Sequence, residues 1–219
     1  RDDLVTGVQT CALPISWAAG DARSKGFLLG ATAGRTTLNG EGLQHQDGHS
    51  HIISSTIPNC KSYDPCFSYE LATIIKKGLE EMYVKNLDVY YYITLMNENY
   101  SHPKAPKNIC EDEIIKGCYK FQATKDADIR LLASGVALNF AIDASKILSD
   151  LGVNVEIWSV TSFNELYRDG IEHERKNLLN GTSSKSYVKS CFEKNIPTIA
   201  VSDYQRAYVN QIRQWISGT

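Results

Sequence analysis

The stretch NGEGLQHQDGHSH, residues 39–51, concentrates groups that move protons. Three of the chain's five histidines, His45, His49 and His51, fall within seven residues, with Asp47 between them and Glu41 just ahead. Imidazole changes charge near neutral pH and can give or take a proton, while interleaved glycines let backbone approach a ligand closely. Three readings fit. The loop can form a catalytic wall of imidazoles and carboxylates. His45, His49, His51 and Asp47 can instead ligate a metal such as zinc, although the spacing matches neither H-E-x-x-H nor a Cys/His module. Or the histidines hydrogen-bond neighbouring backbone and do no chemistry. Spacing alone leaves all three open.

Regular elements must hold such a loop in place. GFLLGA (26–31) is a short apolar run bounded by glycines and reads as a strand, and IIKKGLEEMY (74–83) has Ile74, Ile75, Leu79 and Met82 at helical spacing. Between them, residues 32–56 are rich in Gly, Thr, Asn, His and Ser, and a connection that long inside a compact domain is usually functional. DVYYYITLM (88–96) fits a largely buried strand, in which Tyr90, Tyr91 and Tyr92 are packing residues rather than a stacking platform. A turn-rich segment ending in a short helix near Glu111–Lys120 closes a first unit. After KFQATKDAD the chain restarts with IRLLASG, a helix over 137–151, the strand VNVEIWSVTS, a helix from Phe163, the strand PTIAVSD and a last helix toward Trp215. Strands alternating with helices indicate βαβ units, so the fold class is α/β, two partial units with mainly parallel sheets flanked by helices.

The division is expected near Asp126: residues 17–125 in the first unit and 126–219 in a second that stops short of a terminal element. Residues 1–16, RDDLVTGVQTCALPIS, lack helical, strand or signal-peptide patterning and read as a non-native extension. With 42% hydrophobic residues in 219 there is enough to bury a core. A net charge of −2 without a block of like charge points away from nucleic acid and anionic membranes, and no apolar run approaches the roughly 18 residues that span a bilayer. Six cysteines without a C-x-x-C pair suit reduced thiols and a cytoplasmic setting. His102 and His173 read as solvated, Ser134 and Gly135 as packing at a strand end, and Tyr100 as either a loop-ordering or a plain turn residue.

The runs GRTTLNGEGLQHQDGHSHI, IPNCKSYDP, YYYITLMNENY and VTSFNELYRDG together resemble the homodimeric bacterial pyruvate dehydrogenase E1 component, in the transketolase superfamily. The resemblance runs from about Ala18 to the C-terminus. It implies the later part of a middle, pyrimidine-contacting domain followed by the first part of a transketolase C-terminal-like domain. The family's GDG-type diphosphate and metal motif, and the glutamate that activates the cofactor, lie upstream of the matched stretch. His45 matches the histidine of the family's LQH segment, which implies charge stabilisation or proton transfer beside the substrate. Asp47, His49 and His51 match its DGHSH segment and Glu41 its NGEG, as residues lining or bracing the same pocket.

For the parent protein the resemblance implies thiamine diphosphate and Mg2+ as cofactors, pyruvate as substrate, the lipoyl domain of an E2 acyltransferase as partner, and a homodimer. The isolated chain is expected to be inactive and poorly soluble. Alternatives are another superfamily enzyme such as a transketolase, a non-catalytic binding module of the same fold, and a metal-dependent hydrolase.

Overall fold

The runs that read as strands all enter two sheets, in which YYYITL, IRLLA and VEIWS take the interior positions. The structure is a computed structural model and describes residues 12–31, 33–38, 45–96, 98–106 and 109–218. In the first sheet β3 (Tyr90–Leu95) lies between β1 (Phe27–Ala31) and β2 (Cys60–Tyr63), all parallel, in the order β1-β3-β2. Burial on both faces explains why YYYITL is aromatic or apolar at every position but Thr94 rather than alternating. Side chains on a strand alternate between faces. Tyr91 and Ile93 therefore meet Ile74 and Met82 from α3 (Ser68–Leu79) and its π-helical extension Glu80–Val84, and Ile114 from α4 (Glu111–Lys116). Tyr90 and Tyr92 turn to the opposite side with Ile57 and Cys60. Two tyrosines of β3 pair their hydroxyls: Tyr90 donates to the Ser16 carbonyl at 2.8 Å and Tyr91 to Glu81 Oε2 at 2.7 Å.

The second sheet has the order β4-β6-β5-β7, from β4 (Tyr119–Gln122), β5 (Ile129–Ala133), β6 (Val155–Ser159) and β7 (Thr198–Val201). β5 runs parallel to both β6 and β7, whereas β4 is antiparallel to β6. One face packs on α5 (Ala137–Asp150) through Leu131, Ile157, Leu138 and Ala141. Leu132 and Trp158 on the other face meet α6 (Phe163–Asn180), α7 (Tyr187–Cys191) and α8 (Arg206–Asn210), the last followed by a 3-10 turn at Arg213–Trp215. Ser162 caps α6 by accepting from the Glu165 amide at 3.0 Å, the S-x-x-E signature of SFNE. Arg130 and Glu156 stand opposite each other on β5 and β6 and pair at 2.6 Å, both fully enclosed.

Three expectations need correction. Residues 1–11 lie outside the described residues, but Ala12–Asp21 forms a helix, α1. Its inner side is made of Ser16 and Ala19 while Trp17 is exposed, so no apolar stripe announces it. The second sheet begins with β4, upstream of the division expected at Asp126. YKFQ is an antiparallel edge strand, half exposed and too short to show a period. Finally, the polar connection 32–56 contains a 3-10 turn at Thr36–Leu38 and a helix, α2 (Ser50–Ser55).

The units share a packed seam. Cys66 and Phe67 of the first lie in one apolar cluster with Leu131 and Ile157 of the second. Backbone joins them where the Asp64 amide donates to the Thr161 carbonyl at 2.8 Å and the Gly135 amide to the Asp64 carbonyl at 3.0 Å. Glu70, fully buried at the start of α3, accepts from the Cys66 and Phe67 amides within its unit, and from Tyr119 and Ser159 hydroxyls of the second sheet at 2.6 Å each. Burial raises its carboxyl above the usual range, and these four donors pull against that rise. No helix among the described residues is long and apolar enough to cross a membrane.

Candidate functional site

The histidine segment leads into α2 at the seam, and its side chains divide. His45 is exposed and His49 half exposed, whereas His51, in the first turn of α2, has no exposure. Asp47 is the hinge of this division. Its Oδ1 accepts from the His49 and Ser50 amides at 3.0 Å each, and its Oδ2 accepts from the Ser50 hydroxyl, which satisfies donors that a helix start leaves free. His49 Nδ1 stands 3.9 Å from the same carboxylate. Glu41 lies outside the described residues.

His51 is boxed by aromatic rings from both units. Tyr208 stacks on it at 4.9 Å between centroids, Tyr204 meets it edge-on at 4.6 Å, and Tyr92 lies at 5.5 Å. Its Nε2 is 3.0 Å from Thr94 Oγ1, and that hydroxyl also donates to Asp64 Oδ1 at 2.7 Å. Thr94 has one hydrogen to give. With Asp64 ionised it goes to the carboxylate, so His51 carries its proton on Nε2, and Nδ1 has no partner among the described residues.

Burial pushes the His51 imidazole down to about 4, with the Asp47 charge working against the change. Burial likewise raises the Asp64 carboxyl to about 7, opposed by the hydrogen bond from Thr94 and reinforced by the Asp203 and Asp47 carboxylates. A neutral imidazole and a carboxyl that titrates near neutrality thus share one threonine hydroxyl.

Asp64, Thr94, Asp203, Tyr204 and Tyr208 did not stand out in the sequence. The one available signal was the position of Asp64 just past the C-terminal end of β2, where parallel sheets gather polar function. Ser134 and Gly135 do pack at the end of β5, and they do so against Asp64. Tyr100 orders its loop by donating to the Cys66 carbonyl at 2.5 Å. His102 is exposed but stacks on Tyr100 and accepts from the Ser68 amide at 3.1 Å, and His173 sits 3.3 Å from Asp169. Among the described residues no group of three or more His, Cys, Asp or Glu is placed to hold a metal ion.

The second unit reaches back to the same loop. Asp203 Oδ2 accepts from the Arg35 and Thr36 amides at 3.1 and 3.0 Å, and its Oδ1 accepts from the Thr36 hydroxyl. The Gln205 amide donates to the Gly48 carbonyl at 2.8 Å, and the Asp47 amide to the Gly34 carbonyl at 3.2 Å.

Comparison with known proteins settles the family. The profile described as the pyruvate dehydrogenase E1 component middle domain matches residues 5–103, and that of the transketolase-like C-terminal domain matches 117–218. The pyruvate dehydrogenase E1 component of Pseudomonas aeruginosa is 52% identical over 209 residues, 92% of this chain and 24% of that protein. The chain belongs to the pyruvate dehydrogenase E1 family. The Escherichia coli K12 E1 component is 48% identical over 208 residues, 92% of this chain and 23% of its own length. The chain therefore spans about a quarter of the curated relatives it matches.

Solved structures support the fold. Campylobacter jejuni transketolase superposes with a TM-score of 0.65 at 16% identity, covering 93% of this chain and 28% of its own. A split-gene transketolase described as an inactive beta4 tetramer superposes at 0.52 with 16% identity, covering 86% of this chain and 52% of its own.

Proposed function

We propose that this chain is the part of a pyruvate dehydrogenase E1 that walls the substrate end of a thiamine-diphosphate site, in an enzyme that oxidatively decarboxylates pyruvate and transfers the acetyl unit reductively to a lipoyl group on E2. The observation that carries this reading is the identity of 48–52% to bacterial E1 components across nearly the whole chain. The parent is proposed as a cytoplasmic homodimer, to which this chain contributes part of a middle domain and, from β4 onward, part of a C-terminal domain.

The described residues do not fit the role of holding Mg2+, because no group of three or more His, Cys, Asp or Glu among them is placed to take a metal ion. That half of the site is assigned to sequence outside this chain. The cofactor supplies the nucleophile and electron sink that side chains lack. Of the chain's own groups, His45, exposed and next to the loop's fixed end, is the candidate to stabilise negative charge or pass a proton at the substrate. Glu41 and His49 would line the same pocket. Asp47 holds the start of α2, and His51, kept neutral by burial, braces the loop from beneath.

On this reading the chain alone does not turn over pyruvate. Calorimetric titration of thiamine diphosphate with Mg2+ into this chain, beside a full-length bacterial E1, tests it. Heat from the control and none from the chain is expected, and stoichiometric binding to the chain would overturn the half-site assignment.

A further inference from the structure

We infer that Asp203 is a positioning residue for the histidine segment, through which the C-terminal unit sets the geometry of a site built on the middle unit. The relevance to catalysis rests on the function proposed above; the clasp itself does not.

Two anchors make the case. At one end, the Asp203 carboxylate gathers three donors from two consecutive residues, the amides of Arg35 and Thr36 and the Thr36 hydroxyl. Hydrogen bonds to an ionised acceptor are about twice as strong as neutral ones. At the other end, two residues further along the same strand-to-helix connection, the Gln205 amide holds the Gly48 carbonyl. The segment from Arg35 to Gly48, which contains His45, is thereby fixed at both ends to one short stretch, residues 203–205, of the other unit. The Asp47 amide closes the segment on itself by donating to the Gly34 carbonyl.

The backbone is shaped for this contact. Gly34 adopts φ +81°, and a Cβ there would lie 2.6 Å from Asp203 Oδ2, so the carboxylate comes as close as a side chain at that position would forbid. The clasp also sits beside the aromatic box, because Tyr204, next to Asp203, is the ring that meets His51 edge-on. Residues 203–208 thus control both faces of the segment: Asp203 and Gln205 its backbone, and Tyr204 and Tyr208 the buried imidazole.

Amide hydrogen exchange on this chain tests the clasp without reference to catalysis. In Asp203→Ala, exchange over residues 33–38 and 45–49 should rise by roughly ten- to a hundredfold, the equivalent of charged hydrogen bonds lost. Protection in β3 and α6 should stay as in the parent chain. Asp203→Asn keeps the shape and an acceptor oxygen and should restore most of the protection. If Asp203→Ala fails to fold, Thr36→Val removes one of the three donors and should give a smaller rise confined to the same residues.

Unchanged exchange across the segment in Asp203→Ala would overturn the inference. So would uniform loss of protection in both sheets in Asp203→Asn or Thr36→Val, which would make this contact part of general stability. Failure of the pyruvate reading would leave these exchange rates unaffected, so the two claims fall separately.

Discussion

Replacing Asp64 by asparagine should make this chain's stability rise with pH over a range where the parent's is nearly flat. In the folded chain burial raises the Asp64 carboxyl from an ordinary 3.8 to about 7. Between those two values the folded state holds a proton that the unfolded state has released, so stability falls as pH rises through that window. The loss accumulates over about three pH units at about 1.4 kcal/mol each, or about 4 kcal/mol in all. His51 acts in the opposite sense. Its imidazole is lowered from 6.5 to about 4, so the unfolded state binds the extra proton and stability rises with pH across that interval. Over roughly pH 4 to 6.5 the two slopes offset each other in the parent chain.

The side-chain amide introduced by Asp64→Asn keeps an acceptor for Thr94 and cannot titrate. In that variant the His51 slope is therefore exposed, and stability should gain about 4 kcal/mol relative to the parent between pH 4 and pH 7. Urea unfolding of both proteins at half-unit pH steps gives the difference directly. A difference that is flat with pH, or one that shrinks as pH rises, would refute the account of Asp64 as a buried carboxyl with a raised pKa.

Other substitutions probe the frame around the site. Arg130→Met leaves the enclosed Glu156 carboxylate with Lys120 at 3.2 Å and the Trp158 indole N–H at 3.1 Å, and should cost about 3 kcal/mol in urea unfolding, whereas Arg130→Met with Glu156→Leu should cost less than the single change. Gly135→Ala places a methyl 2.6 Å from Asp64 Oδ2 at φ +52° and should destabilise the seam by about 2 kcal/mol or more; a smaller effect would mean that the Asp64 loop yields easily. Phe140, Ile147 and Leu151 on or just after α5, with Leu178 and Leu179 near the end of α6, are exposed apolar groups. The chain should accordingly associate in size-exclusion chromatography with light scattering, and a monodisperse monomer would contradict that.

The elements that could be read in advance are those whose own residues carry the signal. YYYITL is aromatic or apolar at all positions but Thr94 because β3 is central, and SFNE announces α6 because Ser162 does cap it. β2 was hidden because CKSY carries a lysine that is neutralised by Glu81, a partner twenty residues on, at 2.7 Å. α2 was hidden in loop-like composition because Asp47, rather than an apolar stripe, holds its first turn.

The site divides in the same way. The clustering of His45, Asp47, His49 and His51 is a local property and was visible. That His51 turns inward while His45 and His49 stay outside depends on Thr94, Tyr204 and Tyr208, and the loop's anchor, Asp203, is 167 residues from Thr36. No local pattern encodes contacts made across two units.

On the proposed function, the histidine segment serves an E1 site completed by sequence outside this chain. Its most direct test is a chimera in which residues 17–218 replace the matching segment of a full-length bacterial E1, assayed for pyruvate oxidation with a lipoyl-domain acceptor. The chimera should turn over pyruvate, and His45→Ala within it should lower kcat by about a hundred- to ten-thousandfold with folding intact, the range expected for loss of a proton-transfer group. A folded chimera that does not oxidise pyruvate, or an active one indifferent to His45→Ala, would contradict the account.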